Sequence, residues 1–190
     1  MVSAARFGLL SNAVSMKRLL GALRTGDEAK FAACHVLRTV LFTDLSSWSI
    51  YPPFEALQHL LAFETTLNVL LDYAPAVLVK AMGDSHLLLC ADVEAAVYLM
   101  DALQAARPEL SCCAGIGYGP VVLCQHVRGR LDVFGEAVNA ASRLGEDVAQ
   151  GTQVLLTPAA YAQLPLTLQP CCAGMSYGAG MRAYLWRGGG

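Results

Sequence analysis

The chain has 190 residues, a net charge of −2 and a pI near 6.0, which fits one domain of ordinary size and gives no basic field for nucleic acid. Charged residues make up 15% and hydrophobic residues 55%. The usual charged share is about 25%, so part of the apolar excess is expected to be buried in a subunit interface. No stretch approaches the ~18 uninterrupted apolar residues of a membrane span, and the opening MVSAARFGLLSNAVSMKRLL lacks the apolar core and cleavage site of a signal peptide.

In chain order, residues 8–33 are amphipathic, with Leu9, Leu10, Val14, Leu19, Leu20 and Leu23 set among Lys17, Arg18 and Arg24. They predict a helix stopped by Gly26. Residues 1–35 thus form an N-terminal extension, either a packing arm or a helix for a regulatory partner. HVLRTVLFTDL (35–45) reads as a strand ending in an acid, Asp44. Helical spacing of Phe54, Leu57, Leu60, Leu61, Leu67, Leu70 and Leu71 predicts a helix over 54–73. AVLVKAM (76–82) and SHLLLCA (85–91) are apolar strands around the turn Gly83-Asp84, and Asp92 caps a helix reaching about Gln104. SCCAGIGYG (111–119) and PVVLCQHV (120–127) read as two further strands. DVFGEAVNAASRLGEDVA (132–149) reads as a strand end and turn into a helix. A small helix at TPAAYAQL (157–164), a closing strand at MRAYLWR (181–187) and a glycine tail (188–190) complete the chain. The order β-α-β-β-α-β predicts an α+β, ferredoxin-like core extended by further strands and helices, in one domain over 36–187.

Seven cysteines in no C-x-x-C or ligand spacing read as buried free thiols in a reducing cytoplasm. His35, His59, His86 and His126 also lack ligand spacing and read as structural or exposed.

The predicted topology carries the end of the first core strand and the tip of the hairpin to the same edge of the sheet. Asp44 and Asp84 therefore become neighbours. Close carboxylates repel unless something neutralises them, and a pair of hard divalent cations is one answer, able to activate a hydroxyl and clamp phosphate oxygens. The other reading makes Asp44 a strand-end residue and Asp84 a turn residue.

FTDL (42–45), KAMGDS (80–85) and DVFGEAVNAASRL (132–144) together resemble, in order, the catalytic domain of class III nucleotidyl cyclases, over about Val36 to Leu164. The resemblance implies that Asp44, Asp84 and the carbonyl of Leu45 hold two divalent cations, Mg2+ or Mn2+. It makes Lys80 and Asp132 the base-reading pair, and Asn139 and Arg143 the residues that orient the ribose and stabilise the transition state. Lysine donates to an adenine ring nitrogen and a carboxylate accepts from the exocyclic amino group, so this pair favours ATP. Guanine presents the opposite pattern, and guanylate cyclases of the family typically carry Glu and Cys there. The implied activity is adenylate cyclase, converting ATP to cyclic AMP and pyrophosphate at two composite sites of a homodimer. The alternatives are a regulatory module that keeps the fold and loses the rate, and a cyclase for another nucleotide.

Three features depart from the pattern or extend it. Ser47 and Trp48 stand where the family has glycine and phenylalanine. GIGYGPVV lacks the third glycine and following helix of a dinucleotide fingerprint. Arg128 and Arg130 could reach the triphosphate or be surface charges.

Overall fold

The computed structural model describes residues 8–46, 50–126 and 130–189. Its strands are β1 (Val14–Ser15), β2 (His35–Leu45), β3 (Ala76–Met82), β4 (Ser85–Cys90), β5 (Cys112–Gln125), β6 (Leu131–Phe134), β7 (Val154–Leu156), β8 (Cys172–Tyr177) and β9 (Met181–Trp186). Its helices are α1 (Met16–Arg24), α2 (Glu28–Ala32), α3 (Pro53–Leu71), α4 (Val93–Ala106), α5 (Glu136–Ser142) and α6 (Pro158–Tyr161). A π-helical turn, Arg143–Val148, continues α5.

The expected core is present. Strands β3, β4, β2 and β5 are antiparallel neighbours in that order, with α3 and α4 as the two connecting helices. Beyond β5 the sheet continues through β7, β9 and β8. Alternation along β2 divides its side chains between two layers. Leu41 and Leu45 pack with Phe63 and Leu67 of α3 and Val97 and Met100 of α4. Val40 and Phe42 pack instead with Leu87 and Leu89 of β4 and Ala137 and Ala141 of α5. Pro53 opens α3, where its missing N–H costs nothing. The Asp92 carboxylate accepts from the Ala95 N–H at 2.7 Å and caps α4, as its position in the sequence predicts.

The glycines of GIGYG serve packing. A Cβ on Gly115 would collide with the Ala141 carbonyl, and one on Gly117 with the Ala137 carbonyl. Helix α5 therefore beds on β5 backbone to backbone, which only a strand bare of side chains permits.

Four elements differ from expectation. Residues 8–33 are not one helix. Ser15 accepts from the Arg18 N–H to cap α1, and Asp27 accepts from the Lys30 N–H to cap the separate α2. Val14 and Ser15 pair with Cys124 and Gln125, and Leu19 and Cys34 share a buried cluster with Val122 and Cys124. Where two strands are expected over 111–127, one long strand stands, β5 (Cys112–Gln125), and Pro120 lies within it. Strands β7 and β8 complete the list, neither foreseen from the sequence.

Candidate active site

Asp44 and Asp84 come together as the topology demands. Asp44 lies one residue from the end of β2, paired with Ser85 on β4 and Cys113 on β5. Asp84 occupies a two-residue turn after Gly83, whose φ of +64° suits glycine. The Leu45 N–H donates to the Asp84 carbonyl at 3.3 Å, fastening the hairpin tip to the end of β2. The Ser85 hydroxyl donates to Asp44 Oδ1 at 2.8 Å. Burial raises the Asp44 pKa above the usual carboxylate range; the Ser85 hydrogen bond pulls it down, and the Asp84 charge pushes it up further. Among the described residues no Lys, Arg or His nitrogen lies within 4 Å of either carboxylate. Nor, among them, does any group of three or more His, Cys, Asp or Glu converge as a metal cluster. The pair is thus a half-buried, uncompensated patch of negative charge built from hard oxygen donors, which fits Mg2+ or Mn2+ and not a soft metal.

Lys80 and Asp132 also meet, through an irregularity in β3. Leu78 stands opposite Leu88, but Lys80 stands opposite Leu87, so Val79 is the extra residue of a β-bulge. In an unbroken ladder Lys80 would oppose His86, whose ring lies against Phe63 of α3. The bulge places Lys80 instead on the layer of α5, where β6 lies against β3. There its Nζ stands 3.5 Å from Asp132 Oδ2. The two line a cleft of ≈ 300 Å³ together with Val79, His126, Arg130 and Leu131. His126, expected to be structural or merely exposed, is part of this cleft, with Nε2 3.8 Å from Asp132 Oδ2. No spacing rule marks it, because its partner arrives through the β5–β6 connection.

Asn139 and Arg143 are both exposed, one helical turn apart, on the side of α5 opposite the buried Ala137 and Ala141. Arg143 begins the π-helical turn. That turn is tied to the acidic end of the sheet: the Cys113 thiol lies 3.2 Å from the Gly145 carbonyl and 3.5 Å from the Asp44 carbonyl. Burial pushes the Cys113 thiol up, so it stays a protonated donor.

Arg130 lines the cleft; Arg128, Ser47 and Trp48 lie outside the described residues. All seven cysteines are unbridged and five are buried. A larger hollow of ≈ 410 Å³ lies between the end of α3 and the start of α4, lined by Leu70, Tyr73, Tyr98 and Leu99. Its ionisable carboxylates, Asp92 and Glu94, have the wrong sign for a nucleotide. No helix among the described residues is long and apolar enough to cross a membrane.

Residues 36–176 match the family described as the adenylate and guanylate cyclase catalytic domain. No curated protein is similar to the chain at a significant level. Among solved structures, an adenylate cyclase from Trypanosoma brucei in its monomeric state is similar with a TM-score of 0.67 and 22% identity, covering 79% of this chain and 87% of that one. The catalytic core of a rhodopsin-guanylyl cyclase with converted specificity, in complex with ATPαS, gives a TM-score of 0.64 at 18% identity over 79% and 94% of the two chains. The guanylate cyclase domain of RhGC from Catenaria anguillulae, in complex with GTP, gives 0.65 at 15% identity over 79% and 95%. Similarity at this level shows the fold, and it spans adenylate and guanylate cyclases alike.

Proposed function

The chain belongs to the family of adenylate and guanylate cyclase catalytic domains, and from that premise we propose that it is an adenylate cyclase. The reaction is attack of the ribose 3′-oxygen of ATP on the α-phosphorus, with loss of pyrophosphate and closure of cyclic AMP. The observation that carries the choice of base is the Lys80–Asp132 pair facing one cleft, a donor beside an acceptor. Adenine offers the matching acceptor at a ring nitrogen and donor at its amino group; guanine offers the reverse.

Asp44 and Asp84, with the carbonyl of Leu45, would hold two divalent cations. When bound, these lower the pKa of the attacking hydroxyl and neutralise the phosphate oxygens. Asn139 would hydrogen-bond the ribose and Arg143 would follow the charge that develops as pyrophosphate leaves. Lys80 and Asp132 would serve a site completed by the aspartates of a second copy, giving a homodimer with two composite sites. Phe54, Leu57 and Leu61, exposed along one side of α3, support an association that covers apolar surface.

The test is purified protein with ATP, GTP, CTP or UTP and Mg2+ or Mn2+, with products resolved by chromatography. Cyclic AMP is expected as the dominant product. Cyclic GMP in its place would overturn the base assignment, and no cyclic nucleotide from any substrate would leave a regulatory module. An inactive Asp44→Ala protein mixed with an inactive Arg143→Ala protein is expected to regain part of the activity. A flat result would rule out shared sites.

A further inference from the structure

Asp132 is held from several directions. Its Oδ1 accepts from the Val133 N–H at 2.9 Å, while Oδ2 faces Lys80 Nζ at 3.5 Å and His126 Nε2 at 3.8 Å. The carboxylate is the more sheltered partner, with 18% of its side-chain area exposed against 46% for Lys80 and 42% for His126. The imidazole is not a loose surface group either. The His126 N–H donates to the Arg130 carbonyl at 2.8 Å, closing the connection between β5 and β6 and fixing the backbone from which the ring projects.

A lysine left alone with Asp132 would lie along that carboxylate, which then sets the direction of its remaining N–H groups. At 3.8 Å the imidazole is a short ring shift from Oδ2, and a second donor there would let the ammonium swing off the carboxylate and aim its N–H groups into the cleft. We propose that His126 is a specificity-determining residue of the base pocket. On base binding its Nε2–H closes the 3.8 Å gap to Asp132 Oδ2 and donates to it, which holds the carboxylate ready to accept from the exocyclic amino group and leaves Lys80 for the ring nitrogen. This inference rests on the adenylate reading above and adds to it a third side chain that neither the motif spacing nor the Lys/Asp pairing requires. A phenylalanine ring at 126 would fill much of the same space and supply no donor.

The experiment measures affinity, so it does not depend on turnover. The non-cyclisable α,β-methylene analogues of ATP and GTP compete against a fluorescent ATP analogue on the full chain, for the wild type, His126→Phe, His126→Gln, Lys80→Ala and Asp132→Asn. In His126→Phe the ATP-over-GTP affinity ratio is expected to fall about tenfold, the size of one lost hydrogen bond to a charged group. His126→Gln, which keeps an N–H donor, is expected to restore the ratio to within about threefold of wild type. A His126→Phe ratio equal to wild type, with Lys80→Ala and Asp132→Asn both lowering theirs, overturns the role of His126 and leaves the pocket standing. A fall that His126→Gln does not restore also overturns it, since the donor is then not what matters. If Lys80→Ala and Asp132→Asn leave the ratio unchanged, the base-pocket reading beneath the inference is the part that fails. Thermal melts of each variant identify any loss caused by misfolding, and where His126→Phe is misfolded His126→Ala takes its place as the variant without a donor.

Discussion

Asp44 shows at the scale of one residue how a proposed metal ligand works against the fold that holds it. Its folded pKa is raised, first by burial and further by Asp84, with only the Ser85 hydroxyl opposing. The sign follows from linkage. A carboxyl with a raised folded pKa contributes stability that is present below its unfolded value and lost as pH rises through the folded one. At neutral pH, in the absence of cations, the ionised Asp44 is therefore a cost. Asp44→Asn removes the charge and keeps an oxygen for Ser85 to donate to. It is expected to raise the melting temperature in chelator-treated buffer, by roughly 2 °C, because the carboxylate is only half buried and solvent screens much of the effect. Mn2+ should then raise the wild-type midpoint and leave that of Asp44→Asn unchanged. A variant that melts below wild type in chelator would show that the charge is not the burden described here. That Asp44 lies beside Asp84 and Lys80 beside Asp132 is legible in the sequence, from strand order for the first pair and from motifs of fixed spacing for the second. The place of His126 is not, since its meeting with Asp132 is made by the β5–β6 connection and by a bulge on a different strand.

At the scale of elements, the bedding of α5 on β5 sets where Asn139 and Arg143 stand. A methyl at Gly117 would collide with the Ala137 carbonyl, so Gly117→Ala must lift the helix from the sheet. A loss of about 2–3 kcal/mol in urea unfolding is expected. Gly174→Ala, whose methyl would stand 3.9 Å from the Tyr184 ring, is the control and is expected to stay within about 0.5 kcal/mol of wild type. Equal costs at the two positions would refute backbone-to-backbone packing. The same strand shows where pattern reading stops. Pro120 reads as a break, but β7 pairs with β5 only over Ala114–Ile116 and β6 only from Val122 onward. On that edge the proline faces no strand, and its missing N–H interrupts nothing. Strand β7 is three residues long and takes its place beside β5 by long-range pairing, a length at which alternation carries no signal. In the N-terminal segment the apolar spacing is helical throughout, but Ser15 and Asp27 are stronger as caps than as interior residues, and they divide it.

Across the whole molecule the sheet separates two layers, α3 and α4 on one face and α5 on the other, and the proposed base pocket belongs to the second. Residues from β3, β6 and the β5–β6 connection reach it only because the far end of β5 carries β6 back toward β3. The ferredoxin-like order explains why so much of this plan could be anticipated: a short hairpin and two crossover helices leave few ways to arrange four strands. The bulge at Val79 has a further consequence, for length and not for composition. A strand one residue longer than its partner carries a spare, and the spare can be identified by name. Removing Val79 would let Leu78 and Lys80 follow each other in unbroken pairing against Leu88 and Leu87, their present neighbours. The deletion variant is therefore expected to fold and to keep the proposed preference for ATP, losing only an apolar wall of the cleft and about threefold in affinity. Loss of that preference in the same competition measurement would show that the bulge itself holds Lys80 in place. If the preference survives, β3 is a strand whose chemistry tolerates a missing residue better than many exchanged ones, and relatives of this chain could differ there in length while reading the same base.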